Sequence, residues 1–334
     1  MTVDKTAETQ GFYNLDPGWF RCQPGDFPVC RTEIDMEKIR QVLGITIQNM
    51  KRQRKNSQII LTFVLAFVLC LMLTEKAVSF ADNYHTSMQA VETFVWVFGD
   101  ADSIMISSLL LALLFLDVPL IEEFTPYYLF RMNKKIWIAG QILYVLIVTL
   151  IYILFLLAVT CVICSPVSFI GNMWSETGAL LGYSGVGEEI ALPASVKVME
   201  MSLPYQCAGT VCLLILLYSV FLAAQMMAWR VSGKKVFSVV SVFLINLYGL
   251  MLNPEIFTKL FHLSKGQEYK ANVLAGWLSP LNHATYYMHN FGYDYLPKIW
   301  MSCLIFLILI AVCIVIIVKK MKKYEFQFQR QMDE

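Results

Sequence analysis

Six apolar runs, at approximately 57–75, 102–118, 136–164, 206–228, 236–252 and 299–318, constrain this chain more than any other feature of its sequence. A spanning helix needs roughly 20 apolar residues, and only a helix or a closed barrel satisfies every backbone polar group inside lipid. The runs therefore predict an all-α integral membrane protein with six transmembrane helices. The second and fifth are short. The second could draw length from the apolar stretch Val91–Phe98, and the third is long enough to tilt. Only 15% of the residues are charged, against about 25% in soluble domains. The first 56 residues are polar, so the first run is expected to remain as a span rather than to be cleaved as a signal peptide.

The distribution of Lys and Arg predicts the orientation, because loops facing the cytoplasm are enriched in both. Lys51, Arg52, Arg54 and Lys55 precede the first run; Arg131, Lys134 and Lys135 follow the second. Arg230, Lys234 and Lys235 follow the fourth, and Lys319, Lys320, Lys322 and Lys323 follow the last. Counted along the whole chain, 20 of the 26 basic residues fall on this side and 6 on the other. Both termini are thus expected in the cytoplasm, with the protein multi-pass in the cell (plasma or inner) membrane. The net charge of +1 implies no nucleic-acid partner.

Four parts are expected: a cytoplasmic extension over 1–32, an interfacial helix over 33–56, a six-helix membrane domain over 57–318 and a basic tail over 319–334. In the second part, Ile39, Val42, Leu43, Ile47 and Met50 recur at three- and four-residue spacing. They predict an amphipathic helix on the inner membrane surface, anchored to lipid headgroups through Lys51, Arg52, Arg54 and Lys55. Between the second and third runs, DVPLIEEFTPYYLFRMNKK mixes charge with aromatics. A short helix there would present Glu122, Glu123, Tyr127 and Arg131 to a soluble partner, since aromatics and Arg are typical interface anchors. The simpler reading is a turn whose aromatics mark headgroup depth.

On the opposite side, the glycines of 165–205 suggest an irregular lid or flexible excursion. Residues 271–278 are too few to span and precede Pro280, which suggests a re-entrant or interfacial helical hairpin. His283 and His289 are six apart and share no helical face, so ordinary interfacial histidines are expected there and no metal site. Cys161-x-x-Cys164 lacks a second pair or a neighbouring His, and packing explains it better than redox chemistry.

Ionisable residues are nearly absent from the interior of the runs, which argues against a carrier coupled to protons or ions. Gln225 and Asn246 are the polar residues most worth testing for a pathway role; the plainer reading is an interhelical hydrogen bond for each. No G-x-x-x-x-G-K-[ST] phosphate cradle occurs, and no paired acids or activated nucleophile point to a membrane-embedded enzyme. No catalytic residue and no bound cofactor are expected.

The order of these parts, and the segment DVPLIEEFTPYYLFRMNKKIWIAGQ in particular, resembles the membrane permease subunit of a type-2 ATP-binding-cassette exporter over residues 33–323. The resemblance implies a connecting helix at 33–50 and a coupling helix at about 119–132, with Glu122, Glu123, Tyr127 and Arg131 facing the ATPase. It further implies a soluble ATP-binding-cassette subunit that binds ATP and Mg, and a second permease subunit. The cargo would be a peptide, lipid or amphiphilic compound moved by alternating access. The long outer loop 165–205 and the N-terminal extension depart from the common pattern. A membrane scaffold, sensor or assembly factor acting through the outer loops is the alternative.

Overall fold

A computed structural model describes residues 27–54, 56–120, 132–189, 192, 194–252, 254–262, 264, 267–292 and 294–322. It divides into two units, residues 1–41 and residues 42–334. In the first, the described residues belong to helix α1 (Phe27–Gln53), and Gln41 Nε2 donates to Glu37 Oε1 one turn earlier at 3.4 Å.

The second unit is a helical bundle. Its main members are α2 (Ser57–Asn83), α4 (Ala101–Leu114), α5 (Lys134–Cys164), α9 (Pro204–Val231), α10 (Lys235–Met251) and α14 (Ile299–Lys322). Local sequence fixes where several begin. Asn56, Asp100 and Asn133 each accept a backbone N–H of the first turn, from Gln58, Asp102 and Lys135, and Pro204 opens α9 where its missing N–H costs nothing.

Four helices, α2, α5, α9 and α14, are long and apolar enough to cross a membrane, and there are up to six spans if each bent pair counts as one. The bent pairs arise from the two short runs. Helix α4 has 14 residues, which at about 1.5 Å per residue is well short of a ~30 Å hydrocarbon core. Its forerunner α3 (Glu92–Phe98) does not lengthen it in line, being turned from it by 85°. Gly99 makes the corner, where a Cβ would stand 2.9 Å from Cζ of Tyr287. Beyond α10, α11 (Pro254–Leu260) is turned by 66°.

Packing is inverted relative to a water-soluble protein. Along α2 the buried face is Thr62, Ala66, Cys70, Thr74, Ala77 and Ala81, all small, together with Phe80. Its outer face carries Ile60, Leu61, Val64, Phe67, Val68 and Met72. Small residues inward and large aliphatics outward suit helices that meet in lipid, where close backbone approach rather than water exclusion drives association. Helix α10 exposes Phe243, Leu244 and Leu247, and α14 exposes Leu304, Leu307, Ile308 and Val312. So extended an apolar surface is incompatible with water.

Helix α9 is central. Of its most apolar window 67% is buried, against 22% in α2, 33% in α5 and 22% in α14. It packs on α3, α4, α5, α10 and α14.

One end of the unit is closed by short elements. Strands β1 (Met88–Gln89) and β2 (Ser168–Phe169) pair in parallel, Met88 opposite Ser168. After them come α6 (Glu176–Tyr183), α7 (Val186–Glu189) and α8 (Val196–Met201), and later α12 (Glu268–Leu278), α13 (Pro280–Ala284) and a 3-10 turn at Tyr286–Met288. The glycine-rich stretch, read from its composition as an irregular lid or flexible excursion, carries three short helices over its described residues. Ser175 caps α6 through the Gly178 N–H, and Trp174 donates to the Ser202 carbonyl at 2.8 Å.

Candidate functional site

Two ends of the bundle carry the polar chemistry, and they differ in kind. At the first end the later half of α1 meets α4 and α5. Thr46 Oγ1 donates to the Gly140 carbonyl at the start of α5 (3.2 Å), and Gln53 Nε2 donates to the Leu114 carbonyl at the end of α4 (3.3 Å). Lys134 Nζ donates to the Met321 carbonyl at 3.1 Å, and Arg230 stands 3.7 Å from the Asp117 carboxylate. Arg230, Lys134 and Lys322 therefore share an end with Lys51 and Arg52 of α1 and with Arg54 just beyond it, all three exposed.

Within α1 the face turned to the bundle is largely polar. Thr46, Asn49 and Gln53 are buried against the bundle, together with Ile45. Leu43 and Ile47 face outward, Ile47 being 52% exposed. Of the expected apolar stripe, Ile39, Leu43 and Ile47 are exposed, and Val42 and Met50 are half-buried. A helix that turns amides into protein and leucine and isoleucine outward is shaped for a lipid boundary.

Glu122, Glu123, Tyr127, Arg131 and Lys55 lie outside the described residues. The two ends of the segment that carries the first four are held. The Leu120 N–H donates to Gln141 Oε1 of α5 at 3.3 Å, and Asn133 caps α5. Both attachments sit at the basic end.

Gln225 and Asn246 are deep in the interior and bond between helices. Asn246 Oδ1 accepts from Tyr218 of α9 (2.9 Å) and from Ser108 of α4 (3.3 Å), while its Nδ2 donates to the Val242 carbonyl (3.0 Å). Gln225 Nε2 bonds the Ser241 hydroxyl of α10, and its Oε1 has no hydrogen-bond partner. Both residues thus tie α9 to α10.

The second end is built around buried aromatics. Trp96 stacks on Trp174 at 4.9 Å and on Tyr287 at 6.3 Å between ring centroids. Tyr287 donates to the Val95 carbonyl, and the Tyr286 N–H to the Gly99 carbonyl. Glu92, 1% exposed, accepts from the Gln89 N–H and from Trp96 Nε1, each at 3.2 Å. A recess of about 80 Å³ between α2 and the α3–α4 corner is lined by Met72, Lys76, Trp96, Asp100 and Ser103. It has room for a few waters.

Sequence spacing separated His283 from His289, and the structure brings them together. Helix α13 ends at Ala284, the chain turns through Tyr286–Met288, and both rings reach the hydroxyl of Ser302 on α14 at 2.9 Å. The one available signal was Ser302 itself, a lone hydroxyl in the apolar start of the last helix. Cys161 and Cys164 are free thiols, and among the described residues no group of three or more His, Cys, Asp or Glu is placed to hold a metal.

Fold and surface together define a helical multi-pass membrane protein. No protein-family model, curated protein or solved structure matches the chain.

Proposed function

We propose that this chain is the permease subunit of an ATP-driven exporter, with six spans and both termini in the cytoplasm of a cell-membrane protein. The observation that carries the reading is the convergence at the basic end. The residues that flank the segment bearing Glu122, Glu123, Tyr127 and Arg131, Leu120 and Asn133, are held on α5, next to the Gln53 bond that joins α1 to α4 and the Asp117–Arg230 pair that reaches α9. A force applied to that segment would reach four helices at once. Basic residues at this end favour the cytoplasmic side, where a soluble ATPase would bind ATP and Mg. Two permease subunits would form the path for a peptide, lipid or amphiphile, and closure of the ATPases would rock the spans between inward- and outward-facing states.

Purification from the native membrane under mild detergent tests this directly. A soluble ATP-binding-cassette ATPase should copurify in a two-to-two assembly, and its turnover should respond to the permease. Glu122→Arg or Tyr127→Ala should uncouple it by tenfold or more while leaving assembly of the permease intact. Unchanged coupling in both variants removes the docking segment; absence of any ATPase removes the exporter reading.

A further inference from the structure

The hydrogen bonds around His283 and His289 do not balance when both rings are neutral. His283 Nε2 lies 3.1 Å from the Trp277 carbonyl, an acceptor only, so Nε2 carries the hydrogen and Nδ1 is bare. His289 Nδ1 lies 2.9 Å from the Thr285 carbonyl and 3.2 Å from the Tyr286 carbonyl, so Nδ1 carries the hydrogen and Nε2 is bare. The two bare nitrogens face the same oxygen, Ser302 Oγ, each at 2.9 Å. A serine hydroxyl has one hydrogen to give. One of the two contacts would then set lone pair against lone pair in a site where His289 is 0% and His283 3% exposed.

One added proton closes the chain. Placed on His289 Nε2, it donates to Ser302 Oγ, whose own hydrogen donates to His283 Nδ1. A hop of both hydrogens through the hydroxyl moves the charge to His283 without moving a heavy atom. We propose that His283, Ser302 and His289 form a single buried proton-binding site that holds one shared proton and joins the α12–α13 hairpin to α14.

The surroundings leave that proton to the pair. Facing the rings are the Trp277, Thr285 and Tyr286 carbonyls, the Trp277 and Phe306 rings set nearly perpendicular to His283, and beyond Tyr286 the Cys207 thiol of α9, which accepts from the Tyr286 hydroxyl. Among the described residues no Asp, Glu, Lys or Arg is hydrogen-bonded or ion-paired to either imidazole. Burial without a counter-charge lowers both imidazoles, His289 to about 4. The bridge opposes burial, because the unprotonated chain carries a repulsive contact that the proton removes. Burial thus holds the site's affinity for its proton below that of a free imidazole, and the bridge acts in the opposite direction. A second proton has no lone pair to meet within the bridge. The docked hairpin then holds one proton where an undocked one, with both rings in water, holds two. Acidification below about 6.5 pulls the equilibrium toward undocking. The site does not depend on the transporter reading.

The test is nitrogen NMR of the full chain in lipid nanodiscs with isotope-labelled histidine. The chain has four histidines, and the exposed His85 and His262 serve as internal references. At pH 8 the buried pair should be opposite tautomers, His283 with its hydrogen on Nε2 and His289 on Nδ1. Between pH 8 and 4 the pair should gain one proton between them, its signals moving together. In Ser302→Ala the joint step should disappear from that range. Like tautomers, two separate protons, no proton taken up by the pair above pH 4, or an unchanged step in Ser302→Ala would each overturn the proposal. The tautomer result stands on the native protein alone, so a variant that fails to fold leaves the proposal falsifiable.

Discussion

Gly178 shows how much one absent side chain can decide. A Cβ at that position would lie 1.7 Å from Glu92 Oε1, so the buried carboxylate and the α6 backbone occupy adjoining space only because the residue is glycine. Gly178→Ala must displace Glu92 Oε1, the oxygen that accepts from the Trp96 indole, and so weaken the hold on the buried carboxyl group. The expected cost is about 1–3 kcal/mol, read as a lower midpoint in denaturant unfolding of the detergent-solubilised protein. An unchanged midpoint would mean that the carboxylate is not held as described. The sequence marked this glycine as one of several in a loosely composed stretch. Composition cannot distinguish a glycine that loosens a chain from one that admits a neighbour, because the neighbour, Glu92, is remote in sequence. The histidine pair was hidden in a similar way. Periodicity relates residues on one helix, whereas His283 and His289 meet through a turn and a serine from another element.

Among the elements, the long apolar runs were legible because length and hydropathy are local properties. Runs read at 57–75, 136–164, 206–228 and 299–318 lie within α2, α5, α9 and α14. The two short runs were harder. Nothing in their composition announces that α3 leaves α4 at 85°, at a corner where Gly99 leaves room for both the Val95 carbonyl and the Tyr287 ring. The periodicity of α1 showed an apolar face but not which face meets protein. That Thr46 and Gln53 turn inward follows from their partners, the Gly140 and Leu114 carbonyls. A depth measurement checks the outcome. With spin labels placed singly on the full chain in vesicles, Ile47→Cys should be relaxed by a lipid-soluble agent and Gln48→Cys by a water-soluble one. Equal accessibility of both sites to the aqueous agent would show that α1 is not at a lipid boundary.

For the whole molecule, the hydrogen bonds and ion pairs sort residues into two ends, and that sorting has a consequence for sidedness. Arg54 and Lys322 belong to the basic end, and Lys197, exposed and paired with Asp294 at 2.7 Å, belongs to the other. Single cysteines introduced at these positions in a chain cleared of its reactive thiols should divide accordingly. On the proposed orientation, an impermeant maleimide added to intact cells should label Lys197→Cys and spare Arg54→Cys and Lys322→Cys until the membrane is opened. Labelling of Arg54→Cys and Lys197→Cys from the same compartment would contradict an end-to-end arrangement across the bilayer.

The central position of α9 also bears on how the protein is made. A ribosome delivers α2, α3, α4 and α5 before the first residue of α9 exists, yet three of these four, α3, α4 and α5, pack on it. The early helices must wait in the membrane with their inner flanks uncovered until residue 204 and the following turns arrive. A chain that stalls before this point has no keystone. It should be recognised by membrane proteases as an orphan, whatever the later protein transports or senses.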